Sequence, residues 1–146
     1  MRTIAINFAL FALMVCAPLA CLSQHLVPAL TVEKNVAGCE YGASLTYQLK
    51  SLTSFGAFYQ TCLPLKTEGT KTKRNFTGTV LNIPVAKSQN LNFYVQSRFG
   101  LVDQRFFVFA PAVDTEIRLV GKVWIHASAG LRMTYPSLTT KISFKL

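Results

Sequence analysis

Acidic residues are scarce in this chain, which has six Asp and Glu against 15 Lys and Arg and a formal net charge of +9. A glycosidase that works with two paired carboxylates is poorly supplied by so few acids. Histidine is rarer still, with two residues, and no cysteine or histidine group has the spacing of a zinc site. We therefore expect neither a metal nor another cofactor.

Sequence motifs of the common enzyme classes are also missing. The chain has no Gly-x-Ser-x-Gly elbow, no phosphate-binding glycine loop and no His-Glu-x-x-His pair. A thiol enzyme is disfavoured because the cysteines expected in the mature protein should be oxidised. Enzymatic activity is thus the minority interpretation.

The N-terminal segment 1–23 has the three-part layout of a secretory signal peptide. Arg2 supplies the positive charge, an apolar run extends from Ile4 to Val15, and small residues close the segment. The run is short for a transmembrane helix, and no basic cluster follows it. We predict cleavage after Ser23 and a mature domain over residues 24–146. The protein is then expected to be secreted and extracellular, with no transmembrane segment.

Apolar and polar residues alternate through most of the remaining chain with the period of two that is typical of β-strands. The clearest example runs from Leu91 to Phe99, and another closes the chain at Leu146. No segment has a convincing helical period. Many short strands predict one all-β domain, an antiparallel β-sandwich or a small barrel, with the apolar faces in its core.

Three residues suggest phosphodiester chemistry, because Glu116, Arg118 and His126 are the base, phosphate ligand and acid that small secreted ribonucleases use. We predict one continuous strand here, kinked at Gly121. Glu116 and His126 would then lie ten residues apart, or roughly 33 Å along the strand. Since only a hairpin or a sharp bend could join them, a basic secreted ribonuclease is an alternative function.

Covalent modification is predicted at two places. Cys39 and Cys62 remain after the predicted cleavage and should pair in an oxidising compartment. A bridge of this loop length contributes roughly 3 kcal/mol. Asn75 begins an N-glycosylation sequon with Phe76 and Thr77, which a eukaryotic host would recognise. The mature chain is then a disulfide-bonded glycoprotein.

The densest positive cluster contains Lys66, Lys71, Lys73 and Arg74. It is polar, includes Gly69 and lies between two predicted strands, so we expect an exposed loop. Three interpretations remain open for this loop. It is a solvated connection, a binding site for phosphate or sulfate groups, or a substrate for a protease that cuts after the dibasic pair.

The main functional hypothesis is a secreted, non-enzymatic binding protein, either effector-like or an extracellular recognition module. Its partner would be an anionic or amphipathic surface (glycan, phospholipid or nucleic acid) or a protein on a host cell surface. Aromatic residues over 105–109 would also suit a lipid carrier. The stretch from Val32 to Cys39, with the alternation that ends at Leu146, resembles exported pilus subunits of the donor-strand type. That resemblance implies an incomplete sandwich and a structural role.

Overall fold

The computed structural model describes residues 26–35, 38–62 and 74–146, and there eight antiparallel strands form one closed barrel. Each strand pairs with the next along the chain, and the first pairs with the last to close the ring. The strands are β1 Leu26–Asn35, β2 Gly38–Gln48, β3 Ser54–Cys62, β4 Asn75–Lys87, β5 Leu91–Val102, β6 Phe106–Val120, β7 Val123–Arg132 and β8 Tyr135–Phe144.

The all-β prediction is confirmed, and of its two arrangements the chain adopts the small barrel. Every one of these strands has two neighbours, so the described barrel has no vacant strand position of the donor-strand kind. No helix in the described ranges is long and apolar enough to cross a membrane. The predicted signal peptide, residues 1–23, lies outside the described residues.

The two ends of the barrel differ in their connections, which alternate because neighbouring strands are antiparallel. The connections after β1, β3, β5 and β7 lie at one end, which we call the long-loop end because residues 63–74 join β3 to β4 there. The turns after β2, β4 and β6 lie at the opposite end, which we call the short-turn end.

The segment expected as one kinked strand is a hairpin, so that prediction is wrong. β6 ends at Val120, β7 begins at Val123, and Gly121 in the turn has a φ of +54°. Glycine adopts this left-handed conformation without the steric cost of a Cβ. Gly121 therefore reverses the chain and sets β7 beside β6.

The sequence of residues 100–104 suggests a connection between two strands, but the β5–β6 connection is shorter than this segment. β5 continues to Val102, and Asp103 and Gln104 have φ angles of 53° and 58°. Two consecutive positive φ angles are typical of the tight turns whose twist matches that of a β-hairpin. β6 also extends past Pro111, which pairs with Ser97 of β5.

Burial in the barrel is the reverse of the expected pattern, because the polar residues face inward. Along β5 the buried side chains include Asn92, Gln96 and Arg98, whereas Phe93 and Phe99 are exposed. The predicted period of two is present. The prediction that the apolar faces form the core is wrong. A period of two separates the side chains of a strand into two faces, but it does not determine which face lies inside a closed barrel.

Among the described residues, Phe58, Phe76, Val80 and Val108 form a small cluster of buried apolar side chains inside the barrel. The Phe58 and Phe76 rings meet edge to face with centroids 4.7 Å apart. Beside them Gly100 faces the lumen, where a Cβ would overlap the carbonyl oxygen of Thr77. Glycine at this position allows the close approach of backbones that a bent barrel strand requires.

Candidate functional site

The lumen contains most of the acidic residues of the protein. Four of the six acidic residues are buried there, facing four basic residues and one histidine. The acids are Glu33, Glu40, Asp114 and Glu116; the bases are Arg98, Arg132, Lys141 and Lys145, with His126 beside them. The lumen is thus close to charge-balanced, as buried ions must be to avoid a large desolvation penalty.

In the long-loop half of the lumen, Arg98 of β5 reaches across to Glu33 of β1. Arg98 Nη1 donates to Glu33 Oε2 at 2.5 Å and to Gln60 Oε1 at 3.1 Å. Gln60 Nε2 in turn donates to the same Glu33 oxygen at 3.2 Å. All three residues are buried, so this triad is a strut between opposite walls of the barrel.

A second strut lies nearer the long-loop end. Arg132 of β7 donates to Glu40 of β2 and lies 3.8 Å from Glu33 Oε1. Its guanidinium carbon is 4.3 Å from the ring centroid of Phe76. This face-on contact adds a cation–π interaction to the ion pair. Together the two arginines close this half of the lumen.

In the short-turn half, Asp114 is the centre of a polar cluster on β6, β7 and β8. Its Oδ2 atom lies 3.0 Å from His126 Nδ1 and accepts from Lys141 Nζ at 3.1 Å. On the other side of the imidazole, His126 Nε2 lies 2.8 Å from Ser143 Oγ. The cluster therefore runs from Asp114 through His126 to Ser143.

Glu116 extends this cluster toward the short-turn end. Its carboxylate accepts from Asn92 Nδ2 at 2.7 Å and from the Tyr94 hydroxyl at 2.9 Å. Lys145 Nζ lies 2.9 Å from the same carboxylate, and His126 Nε2 lies 3.5 Å from Glu116 Oε1. Two carboxylates thus flank the imidazole.

The Asp–His–Ser order matches that of a catalytic triad, but its surroundings do not suit that chemistry. A nucleophilic serine needs a neutral histidine as its base and room for an acyl substrate. The cavity beside Ser143 has a volume of about 50 Å³, enough for a few water molecules. A second carboxylate, Glu116, lies 3.5 Å from His126 Nε2, on the side of the imidazole that faces Ser143. The arrangement is suited to balancing charge.

The proposed catalytic trio is brought together only in part. The β6–β7 hairpin pairs Glu116 directly with His126. The interpretation as one continuous strand had placed these two residues far apart. Arg118 is exposed, and its Nε donates to the carbonyl oxygen of Gly121 at 3.0 Å. Its guanidinium carbon lies 5.9 Å from the Trp124 ring centroid. Arg118 thus lies near the end of β6, and its side chain contacts the β6–β7 turn.

Of the predicted basic cluster, Lys66, Lys71 and Lys73 lie outside the described residues. Arg74 is described and exposed, and it lines a cavity of about 320 Å³ at the long-loop end. Its backbone carbonyl accepts a hydrogen bond from the amide of Cys62 at 2.9 Å. The position next to β4 is consistent with the expected loop.

The predicted modification sites lie near the same end. Cys39 is exposed and Cys62 is buried, and the register pairs Cys62 with Glu40, the neighbour of Cys39. Asn75 Oδ1 accepts from Thr61 Oγ1 at 2.9 Å, and the Asn75 amide donates to Asp103 Oδ1 at 2.9 Å. The disulfide and the glycan both stay predictions.

The outer surface carries an apolar belt between two groups of aromatic side chains. The belt includes Leu30, which is 65% exposed, and Val113. Aromatic residues toward the long-loop end are Tyr41, Tyr59, Phe99, Phe107 and Phe109; those toward the short-turn end are Tyr47, Phe55, Phe93 and Phe144. The Phe99 and Phe109 rings stack at 4.8 Å. Aromatic girdles around an apolar band are characteristic of barrels that face lipid.

Most members of the lumen clusters were missed from the sequence. Glu33, Arg98, Asp114, Lys141 and Ser143 are not among the residues that the sequence analysis singled out. A usable signal was present, because charged residues recur on the face opposite an almost continuously apolar one. Among the described residues, no group of His, Cys, Asp and Glu is arranged to hold a metal ion.

No protein-family model matches the chain, and no curated protein matches it by sequence. Solved structures do match its fold. A de novo designed transmembrane β-barrel superposes with a TM-score of 0.69 at 13% identity, covering 84% of this chain and 96% of that one. The NMR structure of the designed barrel TMB2.3 gives 0.64 at 15% identity, covering 84% and 94%. The N-terminal barrel domain of Pseudomonas aeruginosa OprF gives 0.65 at 13% identity, covering 83% and 96%.

The prediction of a freely secreted, extracellular protein is wrong. The chain forms a closed eight-stranded barrel that resembles two designed transmembrane barrels and the barrel domain of OprF. The sequence argument treated the apolar faces as a hidden core, and such a protein would be water-soluble. Those faces are instead on the outside. At these identities the likeness shows the fold, and function requires a separate argument.

Proposed function

We propose that this chain is a membrane-spanning β-barrel of the outer-membrane type, which acts as a closed anchor and presents its long-loop end to a partner. The observation that carries the proposal is the reversed burial, with charges inside and an apolar belt outside. Soluble monomers rarely expose one apolar patch larger than a few hundred Å². A lipid environment removes the cost of exposing such a belt.

The dimensions of the barrel support this proposal. The eight strands are between 9 and 15 residues long, and a tilted transmembrane strand needs about 9–11 residues. Because β1 pairs with β8, the described barrel has no open sheet edge, as hydrocarbon surroundings require. The aromatic girdles would lie at the two membrane interfaces.

Anchoring is favoured over conduction by the contents of the lumen. The Arg98–Glu33 and Arg132–Glu40 struts cross it, and Phe58 and Phe76 fill the space between them. An eight-stranded barrel has an interior just wide enough for side chains to fill. We expect the protein to cause no stepwise conductance in planar bilayers, and steady open channels would contradict the closed-anchor proposal.

The test of membrane insertion is a pair of arginine substitutions at equally exposed positions. Leu30 in the belt and Phe106 beside the β5–β6 turn are 65% and 63% exposed. In lipid vesicles, Leu30→Arg should lower the free energy of unfolding by about 2–4 kcal/mol and Phe106→Arg by at most about 1 kcal/mol. Urea titrations followed by Trp124 fluorescence would measure both. Equal and small effects would contradict a lipid-facing belt.

The binding role predicted for the basic cluster remains part of the proposal. The connection of residues 63–74 is the longest between the strands, and it carries Lys66, Lys71 and Lys73. Replacing these and Arg74 by Ser should weaken binding of the reconstituted protein to heparin, used as a soluble anionic probe. It should also flatten the salt dependence of that binding. The control replaces Lys50, Lys87 and Lys122 at the short-turn end by Ser, and the comparison is made per positive charge removed.

A further inference from the structure

The long-loop end contains a cavity of about 320 Å³ for which none of the predicted functions names a small-molecule ligand. We call it the mouth pocket. It lies where β1, β5 and β7 end and β2 and β8 begin, next to the residue that precedes β4. Its main lining residues are Glu40, Arg74, Val102, Arg132, Met133 and Tyr135. Its volume lies at the lower end of the range of about 300–1,000 Å³ for small-molecule sites.

Among the described residues that line the mouth pocket, one positive charge is uncompensated. Arg132 is neutralised by Glu40 and packed on Phe76. Arg74 is exposed, and among the described residues no carboxylate lies within 4 Å of its guanidinium. A guanidinium binds a carboxylate or phosphate through paired hydrogen bonds. Since the excess charge is a single unit, a monoanion would balance it.

The rest of the pocket lining is largely apolar. Val102 is half-buried, whereas Met133 and Tyr135 are 59% and 56% exposed. Met133 lies in the β7–β8 turn with a φ of 59°, and its side chain lines the pocket with that of Tyr135. Exposed apolar side chains around one cation suit a ligand with an apolar tail and an anionic head.

We infer that the mouth pocket binds a small amphipathic monoanion, an alkyl carboxylate whose head pairs with Arg74 and whose tail packs on Val102, Met133 and Tyr135. This inference names a ligand class for the end of the barrel that the proposed function presents to a partner. It rests on that proposal only for the placement of the pocket at the membrane surface. The pocket itself is a property of the described barrel.

The probe is octanoate, titrated into the full chain in nanodiscs of zwitterionic lipid, with empty nanodiscs as the background. Calorimetry or ligand-observed NMR should show saturable binding to one site. Arg74→Gln should weaken this binding about tenfold through loss of a charge-assisted pair. Arg105→Gln removes the same charge from an exposed position of the neighbouring turn and should leave the affinity unchanged.

The tail is tested separately from the head. Met133→Asn keeps a residue type that tolerates a positive φ and should weaken octanoate binding several-fold. Octanol, with the tail and no charge, should bind at least tenfold more weakly than octanoate. No saturable binding above empty nanodiscs would overturn the inference, as would equal losses in Arg74→Gln and Arg105→Gln. The latter result would indicate attraction by the general positive charge.

Failure of this inference can be told apart from failure of the proposed function. An inserted barrel that passes the arginine-substitution test but binds no octanoate overturns the ligand assignment alone. A chain that fails to insert overturns the membrane proposal. In that case the same titration in zwitterionic micelles still tests the pocket, and absence of binding there counts against it.

Discussion

Each half of the lumen contains two acids and two arginines or lysines, but the two halves arrange these charges differently. In the long-loop half, Arg98 and Arg132 pair with Glu33 and Glu40 on strands across the barrel, partners 65 and 92 residues away in sequence. In the short-turn half, Asp114 pairs with residues 12 and 27 positions away on nearby strands. The first half has struts across the lumen, and the second has a network along one wall.

Side-chain chemistry explains this difference. A guanidinium is planar, offers several donors and stacks on aromatic rings, so Arg98 and Arg132 span the lumen over Phe76. Lys141 and His126 pair with Asp114 from nearby strands, and Lys145 pairs with Glu116, so none of them crosses the lumen. The adjoining wall on β1 and β2 is lined by small residues: Ala29, Thr31, Ser44 and Thr46. A void of about 50 Å³ remains between these walls and reaches as far as Arg98, whereas Phe58, Phe76, Val80 and Val108 pack together in the long-loop half.

Removing one end of a strut should have the largest effect on stability. Glu33→Leu leaves the buried Arg98 without its carboxylate and should lower the free energy of unfolding by about 3–5 kcal/mol. Adding Arg98→Met should recover most of that loss, because an apolar pair replaces the ion pair. Urea unfolding in lipid vesicles measures both variants. If the double variant were as unstable as the single one, the buried charge would not be the cause.

The same kind of change in the wall network should cost less. Asp114→Asn removes the charge that Lys141 and His126 share, with an expected loss of about 1.5–3 kcal/mol. Glu116 lies 3.5 Å from His126, so part of the positive charge stays balanced. The measurement is again urea unfolding, with Ser143→Ala as the control for loss of a neutral hydrogen bond. If Asp114→Asn lowered the free energy of unfolding more than Glu33→Leu does, the wall network would contribute more to stability than the struts, contrary to this prediction.

The sequence could predict the strands, but it could not predict which face of each strand points into the lumen and which points outward. The alternation from Leu91 to Phe99 is visible in the sequence and holds in the structure, yet the same period fits a soluble sandwich and a barrel that faces lipid. To choose between the sandwich and the lipid-facing barrel, one has to consider that Asn92, Gln96 and Arg98 could face the inside of a barrel. Four of the six acids occupy such inward positions, and that concentration was the overlooked signal.

The site was harder to predict than the fold because it depends on barrel closure. Glu116 and His126 were recognised as chemically interesting, but their contact depends on the reversal at Gly121, which was read as a kink. The Arg98–Glu33 pair cannot be deduced from spacing at all. It exists because β5 lies across the lumen from β1, a relation that follows from strand number and closure.

The smallest effects come from adding volume, and they should have opposite signs in the two halves. Ala29 lines the void, so Ala29→Val should fill part of it and raise the free energy of unfolding by about 1 kcal/mol. Gly100 has no such space, because a Cβ there would overlap the Thr77 carbonyl oxygen. Gly100→Ala should therefore lower the free energy of unfolding by about 1–3 kcal/mol.

Both volume variants add one or two methyl groups inside the lumen, so a general response to added apolar volume would move them in the same direction. Opposite shifts in the urea midpoint, at an unchanged denaturant dependence, would confirm that the halves are packed differently. If Ala29→Val were destabilising, the void would be holding water that its polar lining needs. Gln96 Oε1, Arg98 Nε and Asp114 Oδ1 are buried without a hydrogen-bond partner and belong to residues that line this void. Ordered water between those three atoms would then complete the wall network and connect it to the Arg98–Glu33 strut.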